Sequence, residues 1–358
     1  MIGTPKESFM ENKENIIPER QDTSQKSSKK PSPKKSGFRL NFHIIIIAFI
    51  LIIAGISVYR LVKWNQGTQL DSDMEDIDTS EFDIETLDMI LPMDASLLEG
   101  HEDDGETHIL CIGNNAFADD RSENGLAARI ASRTGATVYD CSFPDSSAAC
   151  KYSVYNPEYP DDHFNFYYVI ECLRNQEFTA IGSIAGSTGD YRYTEAVSVM
   201  ESLDMDKVDI MVIMYDSTDY NQGTPSDNPD NPYDVTAFTG GIRTTLKNIK
   251  ATWPHIRVFV MSPTYAQYLD ENGELHSGTR YDIGNGTLNH YLVKELEATM
   301  DCGVSFIDNY FGTINEDNYR DYMLDHMHYN NAGRDMLADR IADIVNNRLS
   351  VVNSAATE

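Results

Sequence analysis

From residue 108 onward the chain alternates short apolar runs with stretches in which apolar residues recur every three or four positions. The runs at 108–112, 137–142, 208–215, 257–262 and 304–308 have strand length. The fourth-residue periodicity falls near 125–133, 164–174, 195–203, 241–251 and 288–300, and again toward the C-terminus. Asp209-Ile210-Met211-Val212-Ile213-Met214 is apolar on both faces, as expected of a parallel strand covered by helices on each side. Ile242, Leu246 and Ile249 make one helical stripe, and Leu337, Ile341, Ile344 and Leu349 make another. This order predicts one α/β domain over residues 107–350, a three-layer α/β/α sandwich around a doubly wound, mainly parallel five-stranded sheet. No internal repeat is present.

The N-terminal part has a different pattern. Residues 1–39 are polar and aperiodic, which predicts a disordered basic tail. From 40 to 59 the chain is almost wholly apolar, and twenty helical residues span about 30 Å, the thickness of a bilayer core. Lys26, Lys29, Lys30, Lys34, Lys35 and Arg39 precede that run and only Arg60 and Lys63 closely follow it. The positive-inside rule then predicts an uncleaved signal anchor over 40–60, with the N-terminus cytoplasmic and the C-terminal domain outside the cell membrane. Residues 61–106 hold no Lys or Arg beyond Lys63, and Asp71, Asp73, Glu75, Asp76 and Asp78 repel one another into an extended stalk. Ile84, Leu87 and Leu91 stand at helical spacing and are expected to dock on the domain as a helical turn. Residues 351–358 read as a tail.

Charge divides the chain in the same place. Residues 1–63 carry 11 Lys+Arg against 5 Asp+Glu, and the remaining 295 residues carry 17 against 52, a net charge of −35. So acidic a domain repels phosphate backbones, which excludes nucleic acid as an expected partner. The five cysteines, Cys111, Cys141, Cys150, Cys172 and Cys302, show no zinc-site spacing and read as buried thiols, with a Cys150–Cys172 disulfide as the other possibility. The Asp227 to Asp234 run lacks the spacing and sixth-position glycine of an EF-hand and reads as a solvated loop rather than a metal site.

In an open parallel sheet the ligand site lies beyond the carboxyl ends of the strands. There this chain places Gly113-Asn114-Asn115, then Phe143-Pro144-Asp145-Ser146-Ser147, then Asp216-Ser217-Thr218-Asp219, then Pro263-Thr264-Tyr265, and finally Asp325-His326-Met327-His328 before Asn330, Asn331 and Gly333. The spacing Asp-x-x-His lets a carboxylate orient an imidazole base. Together these blocks resemble the SGNH hydrolases, also called GDSL-type esterases, over residues 107–348. The resemblance implies an α/β/α sandwich that cleaves acetyl or acyl esters of sugars and lipids without a cofactor, with His328 and Asp325 as the base and its orienting acid.

The other blocks depart from the family pattern. Asn115 stands at the nucleophilic serine, and an amide has no hydroxyl to activate. Pro144 and Asp145 stand near the glycine whose N–H serves the oxyanion, and proline has no N–H. Thr218 stands at the oxyanion asparagine. The expected function is therefore a catalytically degenerate, membrane-anchored SGNH-like protein that binds a cell-surface glycan through Asn114, Asn115, Asp145, Ser217 and Asp219. The alternative is an ester hydrolase such as a carbohydrate O-deacetylase, acting on an acylated small substrate with His328, Asp325 and a relocated hydroxyl or a water. His326 reads as an exposed filler, and the tyrosines at 152, 155, 159, 167 and 168 as a carbohydrate-stacking surface or, more commonly, core aromatics. Oligomeric state is not legible in the sequence.

Overall fold

The computed structural model describes residues 86–101, 104–349 and 352. The basic tail, the apolar run at 40–60 and the acidic stalk up to residue 85 lie outside the described residues, as does Ile84. Among the described residues, no helix is long and apolar enough to cross a membrane.

Five parallel strands form the central sheet: β1 (His108–Gly113), β2 (Thr137–Asp140), β3 (Ile210–Met214), β4 (Arg257–Met261) and, after a small hairpin of β5 (Gln267–Leu269) and β6 (Leu275–Ser277), β7 (Ser305–Ile307). Their spatial order is β2-β1-β3-β4-β7, a doubly wound sheet whose order reverses between β1 and β3. All five predicted strands are present, one to three residues shorter than the apolar runs except for β1, which extends to Gly113.

Alternation within each strand builds the two cores. Leu110, Ile112, Met211, Ile213, Val258 and Val260 face one layer of helices, while Ile109, Cys111, Ile210, Val212, Phe259 and Met261 face the other. The first layer holds α3 (Phe166–Asn175), α5 (Tyr191–Ser202), α7 (Phe238–Thr252) and α8 (Leu288–Cys302), together with α4 (Thr179–Thr188). The second holds α1 (Asn115–Ala118), α2 (Leu126–Thr134) and α11 (Asn331–Asp343). Three single-turn helices, α6 (Thr218–Asn221), α9 (Asn309–Gly312) and α10 (Tyr319–Tyr322), sit at strand ends or in loops. Helix α4 was not visible in the sequence because Thr179-Ala180-Ile181-Gly182-Ser183 mixes small and β-branched residues that carry little helical signal; it buries Ile181 and Ala185. The predicted stripes of α7 and α11 are buried through Ile242, Leu246, Ile249, Leu337, Ile341 and Ile344.

Residues 87–91 do not make the helical turn expected from Leu87 and Leu91. They run extended along the outer edge of β7, where Met89 exchanges backbone hydrogen bonds with Phe306 in both directions. An unpaired edge strand offers the donors and acceptors that an extended neighbour satisfies, and that outweighs the helical spacing of Leu87 and Leu91 within the described residues. Asp88 anchors the segment by accepting from Arg340, Arg348 and the Asp308 amide. All five cysteines are free thiols.

Candidate active site

Gly113 closes β1 where the β3 backbone comes so near that a Cβ would lie 1.9 Å from the Met214 carbonyl oxygen. No other residue fits there. The chain then turns, and Asn114 ties three strand ends together. Its Nδ2 donates to the Ser146 carbonyl at 2.8 Å and to Asp216 Oδ1 at 2.8 Å, and lies 3.2 Å from Thr218 Oγ1. Its Oδ1 accepts the Asp216 amide at 3.0 Å. Asn115, the first residue of α1, donates through Nδ2 to Asp216 Oδ2 at 2.8 Å and accepts the Asp145 amide through Oδ1 at 2.8 Å. Both asparagines are buried.

Asp216 is the residue that sequence reasoning passed over. It is 3% exposed, and it collects two side-chain amides, the Thr218 N–H at 2.8 Å and the Thr218 hydroxyl at 2.5 Å. Those four donors hold a buried charge without a cation. The signal was present in the sequence, since an acid heads the strand-end block Asp216 to Asp219, but its role depends on which loops meet.

The second block corrects one expectation. Pro144 indeed has no N–H, but the next amide, that of Asp145, points into the site and is taken by Asn115 Oδ1. Asp145 achieves this with φ of 55°, the left-handed region that favours glycine. The Asp145 side chain itself is exposed. Asp219 does not face the site: its two oxygens accept the Ala148 and Ala149 amides at 2.8 and 3.1 Å, and burial pushes its carboxyl up to about 7. Ser217 is also buried, its Oγ accepting from Asn221. Thr218 is committed to Asp216 and cannot also serve an oxyanion.

His328 and Asp325 meet as the spacing predicted. Asp325 accepts the Met327 and His328 amides at 2.9 Å each and holds His328 Nδ1 at 2.8 Å, leaving Nε2 as the outward ring nitrogen. Burial alone would lower the His328 pKa, but the Asp325 hydrogen bond and the nearby charges of Asp119 and Asp216 raise it overall. Asp325 is held below the usual carboxylate range: burial opposes this, and the two amides and the imidazole prevail. Behind the pair, Asn330 caps α11 by accepting the Gly333 amide at 3.0 Å, and a Cβ at Gly333 would lie 2.3 Å from the Tyr322 carbonyl. Tyr329 hydrogen-bonds Thr264 at 2.9 Å, which fixes the loop to the end of β4. His326 is half-buried rather than exposed, and its carbonyl accepts the Gln267 amide of β5.

Asp119 completes the site. It ends α1, one turn beyond Asn115, and burial pushes its carboxyl up to about 6, with His328 and Arg192 opposing and Asp216 and Asp145 reinforcing. Arg192 lies 3.5 Å away, but is held more closely by Asp190 at 2.7 Å. Beside the site, a cleft of about 440 Å³ is lined by Ser147, Cys150, Tyr159, Asn165, Gln222 and Thr236 among others. Tyr152 and Tyr155 are exposed; Tyr152 packs on Tyr159 of the cleft wall, and Tyr155 on His163, which stacks on Tyr168. Among the described residues, Asp270, Glu274 and His276 of the β5–β6 hairpin bring their ligand atoms within 4.8 Å of one another, with Asp270 already bonded to His276 at 3.1 Å.

No protein-family model matches the sequence, and no curated protein does. Solved structures do resemble the fold, and 31 chains match. A protein from Lactobacillus plantarum is 16% identical, covering 67% of this chain and 97% of its own with a TM-score of 0.46. A possible lipase from Chitinophaga pinensis is 13% identical, covering 69% and 100%, with a TM-score of 0.44. Est24, a carbohydrate acetylesterase from Sinorhizobium meliloti, is 14% identical, covering 67% and 98%, with a TM-score of 0.38. These are likenesses of fold alone: a mainly parallel five-stranded sheet with flanking helices, which fits an α/β SGNH-type fold.

Proposed function

We propose that this domain is a binding member of the SGNH fold, displayed outside the cell on a single-pass anchor, that holds a cell-surface glycan without forming an acyl-enzyme. One observation carries the reading: the Asn115 amide and the Asp216 carboxylate occupy each other and the Asp145 N–H where a nucleophile and its oxyanion donors would have to be free. A carboxylate beneath an ester carbonyl opposes the negative charge that develops on acyl transfer, and loss of even one oxyanion donor costs about 100- to 1,000-fold in rate. Support for a glycan comes from the polar cleft walled by Tyr159, on which exposed Tyr152 packs, since sugars combine hydroxyl hydrogen bonding with stacking on aromatic faces.

The test is turnover of a chromogenic short-chain acetyl ester by the full-length chain in detergent, with His328→Ala alongside. No turnover above the His328→Ala background is expected. Turnover that disappears in His328→Ala would overturn the reading in favour of a hydrolase in which His328, held by Asp325, activates a water. Because Asp216 stays beneath the site, Asn115→Ser alone is expected to remain silent as well. Activity is expected to require Asn115→Ser, Asp216→Gly and Thr218→Asn together.

A further inference from the structure

We infer that the cleft beside the site takes an acidic sugar, whose anionic group is met by the ammonium of Lys151. The inference rests on the glycan-binding reading above and names the class of glycan. A cleft recognises a ligand through those polar groups on its wall that are not already engaged. The acceptors on this wall are largely engaged. The Ser147 carbonyl takes the Phe166 N–H at 3.1 Å, and the Pro225 carbonyl takes the Phe238 N–H at 2.8 Å. The Gly223 carbonyl accepts from the Asn285 amide at 2.8 Å, and the Thr224 carbonyl from the Tyr291 hydroxyl. Asn165 Oδ1 accepts the Ser147 N–H at 2.9 Å, and Gln222 Oε1 the Ser147 hydroxyl at 3.3 Å. The buried carboxylate of Asp162 is likewise filled, by the N–H groups of Lys151 and Tyr152 and by Asn165 Nδ2.

The donors are in the opposite state. Lys151 lines the cleft, is exposed, and holds its Nζ 4.2 Å from the centre of the Tyr159 ring, with no carboxylate in ion-pair contact among the described residues. Gln222 Nε2 has no acceptor among them either. Residues 64–358 hold 52 Asp+Glu against 17 Lys+Arg, so acids are abundant, and Lys151 nevertheless has none as its partner. A ring face attracts an ammonium weakly and offers its three N–H bonds no lone pair in the plane of a true acceptor. An incoming anionic group supplies both the charge and the acceptors, and displaces only the weaker ring contact. A neutral sugar supplies acceptors without the charge, and an amine-bearing sugar brings a like charge to Lys151 and further donors to a wall short of acceptors.

Titration calorimetry on the full-length chain in detergent compares tetramers of galacturonic acid and of glucuronic acid with their neutral methyl esters. In about 150 mM salt, charges more than about 8 Å away are largely screened, so the chain's overall negative charge does not mask a local contact. At least one acid tetramer is expected to bind about tenfold or more tightly than its ester. Lys151→Gln is expected to remove that preference and Lys151→Arg to keep it, with melting profiles that match the parent's. Lys207→Gln, which removes a positive charge paired with Asp104 just before β3, at the other end of the sheet, is expected to change nothing. Esters that bind as tightly as the acids, a preference that survives Lys151→Gln, or an equal loss in Lys207→Gln would overturn the charge inference and leave glycan binding standing. Binding of no probe would overturn it as well, while the ester-turnover measurement above decides the binding reading on its own.

Discussion

At the scale of single residues, the site is defined by two aspartates that differ in how their charge is met. Asp216 is buried and satisfied by four donors, so removing it strands them. Asp216→Ala is expected to cost about 3 kcal/mol or more, because the Asn115 amide and the Thr218 N–H and hydroxyl lose their acceptor in a buried place, and Asn114 keeps the Ser146 carbonyl but loses its second acceptor. Chemical denaturation of the full-length chain checks this, and an unchanged midpoint would count against the network described. Asp119 is the reverse case, a carboxylate whose folded pKa of about 6 lies above its unfolded value near 3.8. Between those values the folded state holds more protons than the unfolded one, so its contribution to stability is present below about pH 4 and is lost as pH rises through about 6. Asp119→Asn is therefore expected to stabilise the protein above pH 6 by about 1–2 kcal/mol, allowing for partial solvent screening, and to have little effect near pH 4. Melting temperatures at the two pH values decide it. His328 also has a raised folded pKa, so its pairing with Asp325 contributes stability below about pH 6.5 that is lost as pH rises through the raised value.

At the scale of elements, the segment 87–91 is part of the folded domain. Its extended run against β7 covers a sheet edge, and Asp88, with only 11% of its side chain exposed, ties that edge to Arg340 in α11 and to Arg348 beyond it. Asp88→Ala leaves two guanidinium groups without their shared acceptor and removes the acceptor for the Asp308 amide. A loss of about 2–4 kcal/mol is expected, together with faster proteolytic cutting before residue 105 than elsewhere. Cleavage rates that do not change would show that the backbone bridge at Met89 and Phe306 holds the segment unaided. The helices were more legible than this segment because α7 and α11 each present a stripe of three apolar residues at helical spacing. Ile84, Leu87 and Leu91 also stand at helical spacing, but an open edge on β7 offers Met89 backbone partners that this spacing does not reveal. Helix α4 was missed because its small and β-branched residues carry little helical signal, and the β5–β6 hairpin because each of its strands is only three residues long.

At the scale of the whole molecule, the basic tail, the apolar run and the acidic domain make a polarity along the chain, from which the positive-inside rule leads us to propose an N-in, single-pass topology. Protease added to intact cells is expected to release the acidic domain while the basic tail stays protected; a fully protected domain would reverse the orientation. Much of the rest was set by the sequence alone. Apolar runs on both faces dictate covered parallel strands, because such residues have to be buried from both sides. Gly113 and Gly333 mark close backbone approaches, and Asp325 and His328 meet because three residues before a helix bring acid and imidazole together locally. Only the tertiary structure decided that the site is closed on itself. Asn115, Asp145 and Asp216 are 30 and 101 residues apart along the chain in their two hydrogen bonds, and no local rule links them. Whether an amide at the nucleophile's place faces a ligand or a neighbouring carboxylate depends on how three strand-end loops pack against one another, and that packing is a property of the fold.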